Sequence, residues 1–200
     1  MNITFHPLEN TTTDFFHELY HSSFYIPPGE PAVPFEAIRS PQNRLYYEYW
    51  GREGDLGFVM HKDGEVAGVI YSRLFTAEEP GYGFVAEDVP EFGIAVRRGM
   101  RGEGLGQQLM DHFLDALRER GDKQVSLSVH GDNHAAQWYQ RIGFRTIAFD
   151  GKTMTMVMDL RVGSLEAVFR NQRLALGWLE CWFSQTRQSN SFSLVGKMLI

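Results

Sequence analysis

Large and small residues alternate from Glu91 to Val96: Phe92, Ile94 and Val96 take one face, Glu91, Gly93 and Ala95 the other. That period of two predicts a strand with one bulky and one nearly bare face, on which nothing bulky covers Glu91. The chain then turns through Arg101-Gly102-Glu103-Gly104-Leu105-Gly106, and the period changes inside the turn. Leu105, Leu109, Phe113 and Leu117 recur every four residues, widened by Met110 and Leu114, which predicts an amphipathic helix.

The same patterns place the other elements around this strand, turn and helix. Ile3 to Phe5 reads as a short strand ended by Pro7, and Thr11 to Thr13 offer capping hydroxyls to a helix carrying Phe15, Phe16, Leu19 and Tyr20. Prolines from 27 to 34 impose a loop. A second helical piece is expected from about Phe35 into the aromatic run Tyr46, Tyr47, Tyr49 and Trp50, which either packs on the sheet or walls an acceptor pocket. Leu56 to His61 and Val66 to Phe75 read as strands joined at Asp63-Gly64, and Thr76 to Pro90 as an acidic connection. Beyond the central helix come a strand with Val125, Leu127 and Val129, a helix capped by Asp132 or Asn133 and ended by Gly143, and a hairpin, Phe144 to Phe149 and Met154 to Leu160. This order predicts an α+β fold with a central α/β unit.

The glycine turn carries the first chemical signal. Glycines let backbone N–H groups approach an anion, and a helix N-terminus adds unpaired donors and the positive end of its dipole. No Gly-Lys-Ser/Thr follows the turn, which excludes a P-loop, and Gly102-x-Gly104-x-Gly106 is not the dinucleotide spacing Gly-x-Gly-x-x-Gly. What stands here is Arg-x-x-Gly-x-Gly, Arg101 to Gly106, directly after a strand.

This stretch resembles the acyl-CoA-binding signature of the GNAT superfamily of N-acetyltransferases. Asn133-x-x-Ala136-x-x-Tyr139-x-x-x-Gly143-Phe144 resembles the second signature of that superfamily, in the expected order. The resemblance covers roughly residues 1 to 160 and implies a three-layer fold whose mixed, mostly antiparallel sheet is flanked by helices and splayed at the acyl-CoA cleft. It implies acetyl-CoA, or another short acyl-CoA, as cosubstrate. The pyrophosphate would rest on the amides of Arg101, Gly102, Glu103, Gly104, Leu105, Gly106 and Gln107, and the pantetheine would run along Ile94, Ala95 and Val96. Asn133, Ala136 and Tyr139 fall on positions that contact the cofactor in relatives. Where the pattern commonly has proline and an acidic residue before Arg-Gly, this chain has Arg98 and Gly99.

Amide formation from a thioester asks for a base to free the amine and an acid for the leaving thiolate. Tyr139 is the candidate acid, and Glu91 the candidate base, with Glu87 and Asp88 as alternatives. The acidic connection favours an amine-bearing small molecule or a peptide as acceptor. A non-catalytic acyl-CoA-binding module on the same fold is the alternative reading.

Composition narrows the field further. A formal charge of −6 argues against a nucleic-acid surface, the single Cys181 allows no internal disulfide, and no run of apolar residues is long enough for a membrane span, so a cytoplasmic place is expected. His17-Glu18-Leu19-Tyr20-His21 matches His-Glu-x-x-His formally, but no third ligand follows before Gly29, so no metal is expected. Residues 161–200 carry an apolar helical stripe with Leu165, Phe169, Leu176 and Phe183, read as a C-terminal helical extension and a candidate homodimer contact.

Overall fold

The structure, a computed structural model, describes residues 1–161, which form one compact unit. The expected helical extension and dimer contact lie outside the described residues. The strands are β1 (Ile3–Pro7), β2 (Leu56–Lys62), β3 (Glu65–Arg73), β4 (Glu91–Val96), β5 (Gln124–His130), β6 (Arg145–Phe149) and β7 (Thr153–Asp159). They build a seven-stranded sheet in the order β1-β2-β3-β4-β5-β7-β6. Every pairing is antiparallel except that of β4 with β5.

That parallel pairing is confined to Glu91 opposite Ser126, next to a hydrogen bond from Ser126 N to Pro90 O at 2.9 Å. β3, by contrast, stays in register with β4 from Gly68–Val96 to Arg73–Glu91. β4 is therefore held firmly on one side only, and it parts from β5 beyond its first residue, opening a wedge between their C-terminal halves.

The helices cover both faces. α3 (Leu105–Arg120) buries Leu105, Leu109, Met110, Phe113, Leu114 and Leu117, as its stripe predicts, against the Phe92, Ile94 and Val96 face of β4. Burying each contributes on the order of 1.5–3 kcal/mol. α4 (His134–Ile142) joins the same layer through Ala136 and Tyr139, and Asn133 caps it by accepting from Ala135 N at 2.9 Å. On the opposite face α1 (Asp14–Ser22) packs Phe16, Leu19 and Tyr20 against Val69, Tyr71 and Ala95.

Two expectations are corrected. The helix from Phe35 to Trp50 is broken into a 3-10 turn, Phe35–Arg39, and a single turn, α2 (Pro41–Arg44). Pro41 explains the break: its ring has no N–H to give and forces Ser40 into extended backbone, where Ser40 Oγ caps the new turn through Asn43 N at 3.3 Å. The threonines before α1 do not cap it with their side chains; Thr11 instead donates to Tyr47 O at 2.6 Å.

The β2–β3 turn follows the sequence closely. Asp63 and Gly64 both sit at positive φ, 51° and 90°, as a two-residue hairpin loop demands.

Candidate active site

Where β4 leaves β5, a cleft of about 520 Å³ opens between the 22–26 segment, β4, the glycine turn and α4. Ile94, Ala95, Val96, Arg101, Gly102, Gly104, Leu105, Gly106, Asn133 and Tyr139 all line it. Gly102 and Gly104 take positive φ, 85° and 77°, a backbone other residues resist, and no side chain caps α3. Its first intrahelical donor is Gln108 N, to Gly104 O at 3.2 Å, which leaves the amides before it open to an anion at the positive end of the helix dipole. A phosphate-bearing ligand fits that donor set.

Arg101 turns back on the protein, with Nε donating to Val96 O at 2.9 Å and a terminal nitrogen to Ser22 O at 3.1 Å. It ties the strand end to α1. Burial and the neighbouring Arg98 lower its pKa from the usual guanidinium range. The side chains of Glu103, Gln107 and Ala136 do not line the cleft. Glu103 pairs with Lys62, Gln107 Oε1 accepts from Trp138 Nε1 at 2.9 Å, and Ala136 is buried in the core. Any contact of Glu103 and Gln107 with a phosphate is therefore through the backbone. Sequence reasoning missed Trp138, Met100 and Tyr25 as lining residues. Trp138 had a signal in its position beside Tyr139; Tyr25 had none.

A second cavity, of about 460 Å³, continues between β4 and β5 and is lined by Phe24, Tyr82, Gly93, Ser128, His130 and Tyr139 among others. Tyr139 borders both cavities. Its ring is fixed by Phe92, Phe144 and Trp138 at 5.9, 5.6 and 5.0 Å. Burial raises its pKa, so the phenol keeps its proton.

Glu91 is not on an open face. It is 3% exposed, covered by Tyr46 and by the 81–83 segment, where a side chain on Gly81 would collide with Oε2. The bare strand face predicted an open carboxylate, but the acidic connection folds over it, and only a glycine at 81 lets it approach so closely. Oε1 accepts from Tyr46 Oη at 2.7 Å, while Oε2 is buried without a hydrogen-bond partner of good geometry. Burial pushes the carboxyl up to about 7, with the Tyr46 hydroxyl and, more weakly, the Gly83 amide pulling the other way. Neither Glu91 nor the alternative bases Glu87 and Asp88 lines either cavity; Glu87 accepts from Ala77 N at 3.2 Å, whereas Glu91 lies two residues before Gly93, which does line the inner one.

The segment carrying Tyr46 is clamped from below by Arg73, a group without a signal in the sequence. Arg73 is 1% exposed, pairs with Asp55 through Nε at 2.8 Å and a terminal nitrogen at 2.7 Å, and donates to Leu45 O and Glu48 O at 2.7 and 2.8 Å. Its guanidinium lies 5.5 Å from the Trp50 ring. The aromatic run thus divides: Tyr46 and Tyr47 are buried and Tyr49 is exposed, while Tyr82, from the acidic connection, lines the inner cavity.

The two histidines of the formal zinc motif serve separate contacts: the His21 ring Nε2 meets Val33 O at 2.8 Å, and His17 packs on Tyr47 at 5.1 Å. Among the described residues no group of three or more His, Cys, Asp or Glu gathers as a metal site, and no helix is long and apolar enough to cross a membrane.

A mycothiol acetyltransferase of Beutenbergia cavernae is 28% identical over 127 residues, which cover 63% of this chain and 39% of that protein. The chain thus spans about two fifths of the length of such relatives. The Escherichia coli ribosomal-protein-S18-alanine N-acetyltransferase superposes with a TM-score of 0.54 at 22% identity, over 82% of this chain and 97% of that one. A Salmonella typhimurium chain solved with its cofactor acetyl-CoA superposes at 0.58, with 18% identity over 82% and 97%. These likenesses show the fold. The model of the acetyltransferase (GNAT) family matches residues 13–144, both signature stretches included, and the chain belongs to that family.

Proposed function

We propose that the chain is an acetyl-CoA-dependent N-acetyltransferase acting on a primary amine of a small molecule or peptide by direct attack, with Glu91 as general base and Tyr139 as general acid. The observation that carries this reading is the place of Tyr139 on the border of two cavities. One has phosphate-seeking amides at its far end; the other is the room an amine needs to reach the same point.

The thioester supplies the activated acetyl group. Open amides at the start of α3 would hold the pyrophosphate, and Ile94 to Val96, unpaired on the β5 side, would take the pantetheine as a further strand. Tyr139, kept protonated by burial, would give its proton to the departing sulfur. Glu91, with a pKa of about 7, can accept the ammonium proton near neutral pH and release it again.

Relatives are named for mycothiol and for the alanine of ribosomal protein bS18, which leaves the acceptor class as broad as stated. A cytoplasmic place of action suits the cosubstrate. Thiol release from acetyl-CoA across spermidine, glucosamine and an alanyl hexapeptide tests the reading. Turnover with one of them is expected; saturable acetyl-CoA binding with no thiol release would favour the binding-module alternative.

A further inference from the structure

Gly93 interrupts β4 between Phe92 and Ile94, and a glycine inside a strand commonly marks a close approach by another group. Here the group is Tyr71. It sits opposite Gly93 in the β3–β4 register, and a Cβ at position 93 would collide with its Oη and Cζ atoms. The ring is wedged by Phe16 at 5.4 Å, Tyr20 at 6.0 Å and Trp50 at 6.5 Å, so the hydroxyl is aimed across β4.

Tyr71 is 3% exposed as a residue and its hydroxyl makes no hydrogen bond among the described residues, but the oxygen is not fully sealed and keeps contact with open space. Buried hydroxyls are normally paired, and an unpaired one asks for a reason. Gly93 lines the inner cavity, and Glu91, two positions along the same face, presents Oε2, which is sealed from solvent and unpartnered. Two residues along a strand lie roughly 6–7 Å apart at their Cα atoms, so the two side chains stand as neighbours on one face, where a water-mediated contact can join them. Burial first, then the charge of Glu91 and the Tyr139 phenol, raise the Tyr71 pKa and keep it in its neutral, donating form.

We propose that Tyr71 is a further catalytic residue, its hydroxyl relaying the proton of the attacking amine from the inner cavity to Glu91. This rests on the reading of Glu91 as the base. As the amine nitrogen bonds to the acetyl carbon, its proton passes to Tyr71 Oη, the Tyr71 hydroxyl proton passes to a bridging water, and a proton of that water passes to Glu91 Oε2. Each hydroxyl ends as it began, and the carboxylate becomes a carboxylic acid. The relay explains how a covered carboxylate serves an open cavity.

The test uses Tyr71→Phe, with Gly93→Ala as a second variant that displaces the hydroxyl without removing it. Both are assayed by thiol release with the fastest of spermidine, glucosamine and the alanyl hexapeptide. For Tyr71→Phe, kcat should fall about 10- to 100-fold with KM within about twofold. Its Tm should stay at or above that of the wild type, because the lost hydroxyl had no partner. Gly93→Ala should show the same loss in kcat. A Tyr71→Phe enzyme with wild-type kcat overturns the relay, as does a loss that follows a lowered Tm. Retained acid-limb behaviour in Glu91→Gln would instead strike at the base, and a wild-type chain that releases thiol with none of the amines overturns both.

Discussion

Tyr46 and Glu91, 45 positions apart in the chain, meet in a buried hydrogen bond in which Tyr46 Oη donates to Glu91 Oε1 at 2.7 Å. The bond favours the carboxylate, while burial favours the acid and prevails, leaving the pKa at about 7. Tyr46→Phe removes the stabilising donor and should raise that pKa further. The acid limb of the kcat/KM profile should move up by about one pH unit, with the plateau at high pH retained. A limb that stays in place would show that the hydroxyl does not tune the base.

The same pKa makes a prediction about stability. Glu91 titrates at about 7 in the folded chain against an ordinary value of 4.5, so its folded pKa is raised. A raised carboxyl pKa stabilises the fold where the group is protonated, and that contribution is lost as pH rises from 4.5 through 7. Glu91→Gln should therefore gain on the wild type between pH 5 and pH 8.5, by on the order of 2–3 kcal/mol. Urea unfolding at the two pH values checks it; an unchanged difference would mean that Glu91 is not strained by burial.

Arg73 and Asp55 are both 2% exposed in their side chains, and breaking such a pair by removing one partner typically costs about 3–5 kcal/mol. Arg73→Met should lose that much, because the carbonyls of Leu45 and Glu48 lose their donor together with Asp55. Hydrogen exchange should rise first across residues 45–49. A mild, delocalised loss would contradict the clamp.

Gly104 begins α3 at φ 77°, and a Cβ there would meet nothing within 4 Å. Gly104→Ala carries only the cost of left-handed backbone, about 1–2 kcal/mol, unless the ligand needs the same space. Calorimetric titration with acetyl-CoA should show at least about a tenfold weaker Kd with a modest fall in Tm. Unchanged affinity would move the pyrophosphate away from this turn.

The parts of the site that were legible in the sequence are those built from neighbours in the chain. The glycine turn, the α3 stripe and the Asn133 cap each lie within a few residues of the groups they serve, so periodicity and turn chemistry reach them. The contacts that shape Glu91 are not local: Tyr46 and Gly81 come to it from two separate segments, and no spacing announces them. Gly93 was visible as a small residue in a strand, but which group approached it was not. Pro41 is a different case, for its effect was written in the sequence; the aromatic run beyond it suggested a continuous helix that the proline forbids.

Tyr139 and Glu91 have opposite duties in this account, and pH separates them. Rates for the wild type and Glu91→Gln across pH 5.5–9, with acetyl-CoA and the fastest amine acceptor, bear on the central claim most directly. The wild-type kcat/KM should fall below a pKa near 7, Glu91→Gln should lose this limb, and its deficit should be largest at high pH, where the wild-type base is ionised. An identical limb in both enzymes would contradict it and remove Glu91 from the chemistry.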